Sequence, residues 1–185
     1  KLSRCLQLYG YVWSEHFFHL PLDFFRASLN SGKDIVSLEG ECRHITSYLQ
    51  IQQVRYQDIL TYDVDIPEEI ANCKIPKITL QPLVENALYH GIKNKRGKGR
   101  IVVTGRREKD KCVIRVEDNG IGMTKERLNQ VRGGLTTKIE DSNDFYGLYN
   151  VNERIRLKFG EEYGLSIDSV LQEGTCVEVW LPWES

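Results

Sequence analysis

The stretch Asp118-Asn119-Gly120-Ile121-Gly122-Met123 has the residue types needed to bind a small polar ligand. Val113, Ile114 and Val116 precede it and predict a buried strand, after which the chain turns sharply through two glycines. An Asp fixed at the end of such a strand offers a carboxylate to a donor such as a purine amino group, and the glycines let a ligand lie against bare backbone. Taken alone, the stretch is equally consistent with an ordinary turn, since Asn-Gly is a common turn pair.

A second set of polar side chains lies on a helix predicted over residues 78–92. Asn86 and His90 are four residues apart and share one flank of that helix, whereas Glu85 and Tyr89 share the far flank. A polar pair at the edge of an apolar face can point into a cleft, although on an isolated helix such pairs are usually solvated. The apolar face is formed by Leu80, Leu83, Val84, Ala87, Leu88 and Gly91.

A third candidate region follows the turn. Thr124 is a predicted cap of a helix that runs to about residue 132. Residues 133–144 then have no apolar period and begin with two glycines, which predicts a mobile loop or an ordinary surface connection. Gly147 opens the next predicted helix, and the free backbone N–H groups at that start form an anion site suited to a polyphosphate.

The composition restricts the class of protein. At 185 residues the chain can form one or two domains, and its 25 basic and 26 acidic residues give no basic excess that would indicate nucleic acid binding. The five cysteines are scattered without C-x-x-C spacing, which predicts small core residues in a reduced, cytosolic setting. No run approaches the roughly 18 to 20 apolar residues that span a bilayer. We therefore expect a soluble chain. Because the sequence starts at Lys1 and not at Met, we expect it to be a piece of a longer protein.

The elements that must position these residues fall into two regions. Residues 1–60 are predicted to be helical, although residues 1–21 are apolar without a clean period. Ser37 is a predicted N-cap, and two antiparallel helices joined by residues 31–36 would form a hairpin. A heptad seam needs another copy to be buried, so a homodimeric four-helix bundle is expected. The seam consists of Leu38, Cys42, Ile45, Leu49, Gln52 and Tyr56.

Residues 61–185 change to the alternation typical of strands, beginning with Tyr62 to Ile66 and followed by a connection from Pro67 to Pro76. Two hairpins are predicted, one turning at residues 108–111 and one at residues 172–174. The result is an α+β two-layer sandwich, with a mixed sheet of about five strands and helices on one face. It is preceded by the helical hairpin.

Four stretches in this order resemble the N, G1, G2 and G3 boxes of the ATP-binding domain shared by gyrase, Hsp90, MutL and the sensor histidine kinases. They are residues 80–91, 118–123, 147–151 and Gly174-Thr175. The resemblance runs from about Phe25 to the C-terminus and is greatest to sensor kinases of the LytS/YesM type. It implies a Bergerat ATP-binding fold over residues 61–185, and an enzyme that uses ATP and Mg²⁺ to phosphorylate a histidine and then a response regulator.

The resemblance also implies roles for particular residues. Asn86 would bind Mg²⁺, His90 would touch phosphate, and Glu85 would polarise the attacking imidazole or order a water. Asp118 would accept a hydrogen bond from the amino group of adenine. The other implied nucleotide-binding residues are Gly120, Gly122, Lys138 of an ATP lid, Gly147, Leu148 and Thr175.

Three positions depart from the patterns of these families. Tyr89 stands where many kinases have Lys, and Phe145 stands where relatives have the first glycine of G-x-G. Pro82 occupies the position of the water-activating Glu of gyrase, Hsp90 and MutL, which disfavours an ATPase clamp of their kind.

The histidine that would accept the phosphoryl group is not clearly marked in the sequence. Ser14-Glu15-His16-Phe17-Phe18-His19 contains the candidate His16, but it lacks the Asn-Pro of the family's N-P-H-F motif and lies too close to Phe25-Arg26. A structural role for His16 is therefore favoured, as it is for His44. The expected partners are a second copy through the N-terminal helices and a receiver domain. The expected location is the cytoplasmic side of the plasma membrane, anchored only by upstream sequence. A non-catalytic nucleotide-sensing dimer is the alternative.

Overall fold

The computed structural model describes residues 34–57, 59–136 and 146–183, except for the side chain of Tyr146. The predictions for residues 1–21 with His16, for the first helix of the hairpin, and for Lys138 and Phe145 lie outside these residues. So does Cys5.

Strands and helices alternate along the described chain. The strands are β1 (Ile35–Ser37), β2 (Leu60–Asp65), β3 (Lys74–Pro76), β4 (Gly99–Glu108), β5 (Lys111–Asp118), β6 (Gly164–Val170) and β7 (Gly174–Pro182). The helices are α1 (Leu38–Arg55), α2 (Leu80–Asn86), α3 (Lys125–Gly134) and α4 (Tyr146–Phe159). A 3₁₀ turn spans Glu68–Ile70, and α2 continues directly into a π-helical segment, Ala87–Ile92.

The main sheet has five strands in the order β2-β4-β5-β7-β6. β2 and β4 are parallel, and the other neighbours are antiparallel. Both predicted hairpins are present, β4 with β5 and β6 with β7. Alternate residues of β5 and β7, such as Ile114 and Val179, face the buried core, whereas Arg115 and Glu178 lie on the other face. The α+β prediction with a mixed five-stranded sheet is confirmed.

The apolar face of α1 packs inside this chain. Leu38, Ile45 and Leu49 are fully buried, in one continuous core cluster with the sheet. The expectation that these residues need a second copy to be buried is therefore wrong. A helical apolar stripe has the same spacing whether it packs on its own domain or on a partner, so the period cannot tell the two apart. Ser37 caps α1 as predicted, because its Oγ accepts the Gly40 N–H at 3.2 Å.

Two short strands lie where the sequence predicted connections. β1 and β3 pair antiparallel, with Ile35 opposite Pro76 and Ser37 opposite Lys74. Strands of three residues are too short to show an alternation, so no sequence signal marked them. The pairing holds the start of α1 beside the segment that leads into α2.

The described cysteines are reduced. Cys42, Cys73 and Cys112 are buried and Cys176 is half-buried, as expected for small core residues. None of the helices in the described ranges is long and apolar enough to cross a membrane.

Candidate functional site

A cleft of about 380 Å³ opens between α2 with its π-helical segment, the turn after β5, and the β6–β7 hairpin. Its lining is largely apolar with a few polar groups, which is typical of a site for a small organic ligand. Six residues singled out from the sequence meet in its wall, although they come from four separate segments of the chain. They are Asn86, His90, Asp118, Gly122, Leu148 and Thr175.

Asp118 is the buried carboxylate of the cleft. It ends β5 beside Thr175 of β7, only 6% of its surface is exposed, and its Oδ1 accepts the Gly120 N–H at 2.7 Å. Burial raises the pKa of Asp118 from its ordinary value of 3.8 to about 6, while the N–H groups of Gly120 and Thr175 act in the opposite direction. Above that pKa, Asp118 is a fixed acceptor in an apolar wall, suited to a neutral N–H donor.

The turn after Asp118 is held from two sides. On one side the Ile121 N–H donates to the Gly91 carbonyl at 3.2 Å, and on the other the Gln172 N–H donates to the Ile121 carbonyl at 2.7 Å. Gly122 has a φ of 60°, and a Cβ there would overlap the carbonyl oxygen of Val170. The sequence therefore requires glycine at 122 to fit the turn against the hairpin.

The hydroxyl group of Ser169 makes three polar contacts beside the cleft, and Ser169 was not singled out from the sequence. Its Oγ accepts the Met123 N–H at 2.9 Å, lies 2.7 Å from the Gly174 carbonyl as a donor, and lies 3.0 Å from Thr175 Oγ1. It thus connects the turn to the start of β7 and orients Thr175. A serine on a half-exposed strand position carries no signal of this role.

Asn86 and His90 stand where α2 changes to the wider π-helical winding. The Lys93 N–H donates to the Leu88 carbonyl, five residues back, at 2.9 Å. Asn94, which also lines the cleft and was not singled out from the sequence, donates from Nδ2 to the carbonyls of Tyr89 and His90 at 3.1 and 3.2 Å. Short π-helical segments occur frequently at functional sites, and this one aims His90 at the cleft.

Three predicted residues do not line the cleft. Glu85 accepts a hydrogen bond from Gln81 Nε2 at 2.9 Å, and Gln81 Oε1 lies 2.7 Å from Nε2 of the buried His44 on α1. Gly120 is buried beneath the turn, and Gly147 is exposed at the start of α4. Glu85 therefore takes part in the contact between α1 and α2, and His44 is structural in this arrangement.

The apolar lining suits a flat aromatic ring. Met123 of the turn and Leu171 of the hairpin tip lie on the wall, with Val177 of β7. Arg127, from the first turn of α3, adds a cationic side chain to the same wall. Sequence reasoning did not select Arg127, because an exposed Arg near a helix start is usually solvated.

The donor set of the cleft is compatible with Mg²⁺ that is bound largely by a ligand. Within the described ranges, no group of three or more His, Cys, Asp or Glu side chains is placed to hold a metal ion. Asn86 offers one amide oxygen, and Mg²⁺ commonly takes the rest of its ligands from phosphate oxygens and water. The site therefore fits the metal only together with a polyphosphate.

Residues 76–185 match the sequence model described as histidine kinase-, DNA gyrase B-, and HSP90-like ATPase, and the chain belongs to this family. Residues 15–60 match the model described as histidine kinase. The chain is similar to the sensor histidine kinase YesM of Bacillus subtilis (37% identical, 85% of this chain and 26% of YesM). It is also similar to BtsS of Escherichia coli K12 (32% identical, 86% of this chain and 26% of BtsS).

The fold is that of histidine kinase catalytic domains. The catalytic domain of histidine kinase ThkA aligns with a TM-score of 0.58 at 11% identity, covering 80% of this chain and 94% of that one. The histidine kinase domain of the blue-light activated kinase EL346 from Erythrobacter litoralis aligns with a TM-score of 0.58 at 14% identity, covering 89% and 71%. This chain spans about a quarter of the length of the curated relatives.

Proposed function

We propose that this chain binds Mg-ATP in the cleft and is the catalytic part of a two-component sensor histidine kinase. It would transfer the γ-phosphoryl group to a histidine, from which a response regulator receives it. The observation that carries the proposal is the meeting of six predicted residues in one cleft, one of which is the buried carboxylate of Asp118.

The cleft has two chemically different ends for such a ligand. Asp118 supplies the acceptor for the adenine amino group, beside the Ser169–Thr175 pair and the apolar wall. Asn86 and His90 face the polyphosphate, where Mg²⁺ when bound would neutralise charge. Transfer of a phosphoryl group needs mainly positioning and charge stabilisation, so no nucleophile of the protein is required within the cleft.

Transfer to a histidine is favoured over hydrolysis by the residues around Asn86. The position one helical turn before it is Pro82, which has no side chain able to activate a water. Glu85 is held by Gln81, and its proposed role is to polarise the attacking imidazole when the acceptor docks beside α2. Gly120, Gly147, Leu148 and Lys138 remain proposed nucleotide-binding residues.

The proposed partners follow from the same family membership. Residues 1–60 would form the dimerisation and phosphotransfer region, and residues 61–185 the ATP-binding domain. The chain would pair with a second copy through the N-terminal helices and act on a receiver domain, on the cytoplasmic side of the plasma membrane. His16 is the candidate acceptor within this sequence.

The test is calorimetric titration of the chain with a non-hydrolysable ATP analogue, with Mg²⁺ and with a chelator. We expect saturable binding that weakens about tenfold or more when Mg²⁺ is removed or when Asn86→Ala removes the amide ligand. Asn129→Ala, which changes an exposed asparagine of α3, is the matched control and should bind like wild type. Absence of binding by the wild-type chain would contradict the proposal.

A second candidate is a nucleotide-sensing dimerisation module without kinase activity. It is favoured by the missing Asn-Pro before His16 and by Phe145 in place of a glycine. Incubation with ATP labelled at the γ-phosphate separates the two candidates, because a kinase would give an acid-labile phosphoprotein. Binding without labelling of the full-length protein, or of any added receiver domain, would favour the sensing module.

A further inference from the structure

Glu41 of α1 is a buried carboxylate that holds the first turn of α2. Only 3% of its surface is exposed. Its Oε1 accepts the Ile78 N–H at 2.7 Å, and its Oε2 accepts the N–H groups of Thr79 at 2.9 Å and Leu80 at 3.1 Å. One side chain from a different helix thus satisfies three consecutive backbone donors at the start of the helix that ends at Asn86.

The start of α2 has no cap of its own. Thr79 occupies the N-cap position but has helical backbone angles, and its Oγ1 donates to the Pro76 carbonyl at 2.6 Å instead of accepting an N–H. The N–H groups that a local cap would satisfy are left to Glu41. The contact with Glu41 therefore takes the place of a local cap at the first turn of α2.

Ile78 joins a third helix to this contact. Arg154 of α4 donates from Nη2 to the Ile78 carbonyl at 2.8 Å, so the peptide groups of Ile78 are held by α1 on the N–H side and by α4 on the carbonyl side. α4 also carries Leu148 of the cleft. The Glu41–Ile78–Arg154 junction is thus shared by the three helices α1, α2 and α4.

We propose that Glu41 is a positioning residue for the phosphate end of the nucleotide site. By holding the first turn of α2, it sets the position of Asn86 and His90 at the other end, and a displacement of α1 is transmitted to them through this junction. The proposal rests on the proposed function, because it assigns an effect on the binding of Mg-nucleotide.

The geometry makes the effect larger at the phosphate end of the cleft. From Leu80 to Asn86, α2 is less than two turns long, about 9 Å by the rise of a helix, so a shift of its first turn moves the whole helix. Asp118 and Thr175 are held by the strand pairing of β5 with β7, which does not involve Glu41. Because Gly91 of the π-helical segment packs against Asp118, loss of Glu41 should disturb the Mg-phosphate contacts most and the adenine contacts less.

The test compares Glu41→Gln with Glu39→Gln, which changes an exposed glutamate two residues earlier on α1. The amide of Gln presents only one oxygen to the three donors. Kd is measured for the ATP analogue with Mg²⁺, and for the same analogue with a chelator. We expect Glu41→Gln to lose about tenfold in the Mg²⁺-dependent gain of affinity, with a smaller change in the chelator Kd and with the Glu39→Gln control unchanged.

A double-mutant cycle provides the second readout. In an Asn86→Ala background, Glu41→Gln should cause a smaller loss than in wild type, because one of the two contacts it positions has been removed. If Glu41→Gln does not fold, Arg154→Met releases the other side of the Ile78 peptide from an exposed position, and the same selective loss is expected.

The outcomes are distinct. Equal weakening with and without Mg²⁺ would show a structural role only, and unchanged affinities would show no role; either result overturns the proposal while leaving the proposed function intact. Failure of the wild-type chain to bind the analogue at all would overturn both.

Discussion

Gly91 of the π-helical segment lies directly against Asp118, so close that a Cβ at position 91 would overlap Asp118 Oδ1. The Asp118 carboxylate cannot move away from this contact without losing a hydrogen bond, because its Oδ1 also accepts the Gly120 N–H. Gly91→Ala should therefore displace the carboxylate and weaken binding of the ATP analogue by about tenfold or more, since a misplacement near 1 Å is costly. Calorimetric titration measures the loss.

Gly133→Ala is the matched control for this substitution. Gly133 lies in the last turn of α3, a Cβ there meets no atom within 4 Å, and its φ is not positive. Alanine should leave Kd unchanged and raise the free energy of unfolding by up to about 1 kcal/mol, because glycine is a poor helix former. Equal Kd values for Gly91→Ala and wild type would show that the close approach does not matter for the site.

Asp118 should make stability depend on pH in an identifiable window. Burial raises its pKa from 3.8 to about 6, so between these values the folded chain binds more protons at this group than the unfolded chain does. This contribution to stability is present below about pH 4 and is lost as the pH rises through about 6, by on the order of 3 kcal/mol. Chemical denaturation at several pH values from 4 to 7 measures this loss in the free energy of unfolding.

Asp118→Asn isolates that contribution from those of the other carboxylates. The difference in unfolding free energy between wild type and Asp118→Asn should shift in favour of the variant as the pH rises, because the neutral amide has no ionisation to desolvate. The same variant should bind the ATP analogue more weakly at pH 7. A difference that stays constant from pH 4 to 7 would refute the raised pKa.

The cleft was predictable because its signals are local. Glycines mark the turn after β5, and the helical period marks the flank with Asn86 and His90. The contacts that hold the site were not predictable in the same way, since they join residues that are distant in sequence. Ser169 meets Met123 across two elements, and Glu41 reaches the start of α2 over nearly 40 residues.

The apolar stripe of α1 shows the same limitation. Leu49 is fully buried in the core of its own chain, whereas Val54 is 52% exposed. Leu49→Ala should lower the free energy of unfolding by about 2 to 5 kcal/mol at any protein concentration, and Val54→Ala by less than about 0.5 kcal/mol. Denaturation at two concentrations makes the comparison, and a Leu49→Ala effect that grows on dilution would assign Leu49 to a dimer interface instead.

Ile78 has a backbone strain that a substitution can relieve. Its φ is 58°, a left-handed conformation that costs a β-branched residue about 1 to 2 kcal/mol, whereas asparagine tolerates it. The side chain is 36% exposed, so asparagine also loses the apolar burial of the remaining surface. Ile78→Asn should therefore be about 1 kcal/mol less destabilising than the same substitution at a similarly buried position without this strain.

Ile51→Asn supplies the comparison for Ile78→Asn. Ile51 is similarly exposed, at 38%, but lies within the α-helical winding of α1. Asparagine there should lower the melting temperature slightly, because it is a poorer helix former. If both substitutions lower it equally, the left-handed backbone at Ile78 contributes no strain.

Asn152 of α4 is a buried amide that joins the end of α3 to the start of β6. Its Nδ2 donates to the Leu135 carbonyl at 2.8 Å, its Oδ1 accepts the Leu165 N–H at 2.8 Å, and only 4% of its surface is exposed. The helical period gave no reason to single it out, since both partners come from other elements. It fixes α4 against the end of α3, the last described element before residues 137–145.

Asn152→Asp should destabilise the chain by about 3 kcal/mol at pH 7, because a buried ionised carboxylate loses hydration and cannot donate to the Leu135 carbonyl. The loss should shrink as the pH falls, since protonation restores a donor and removes the charge. Asn150→Asp, an exposed position on the same helix, should change stability by less than about 0.5 kcal/mol. Thermal denaturation at pH 5 and pH 7 distinguishes the two variants. Equal melting temperatures would mean that the Asn152 bridge does not hold α4 in place.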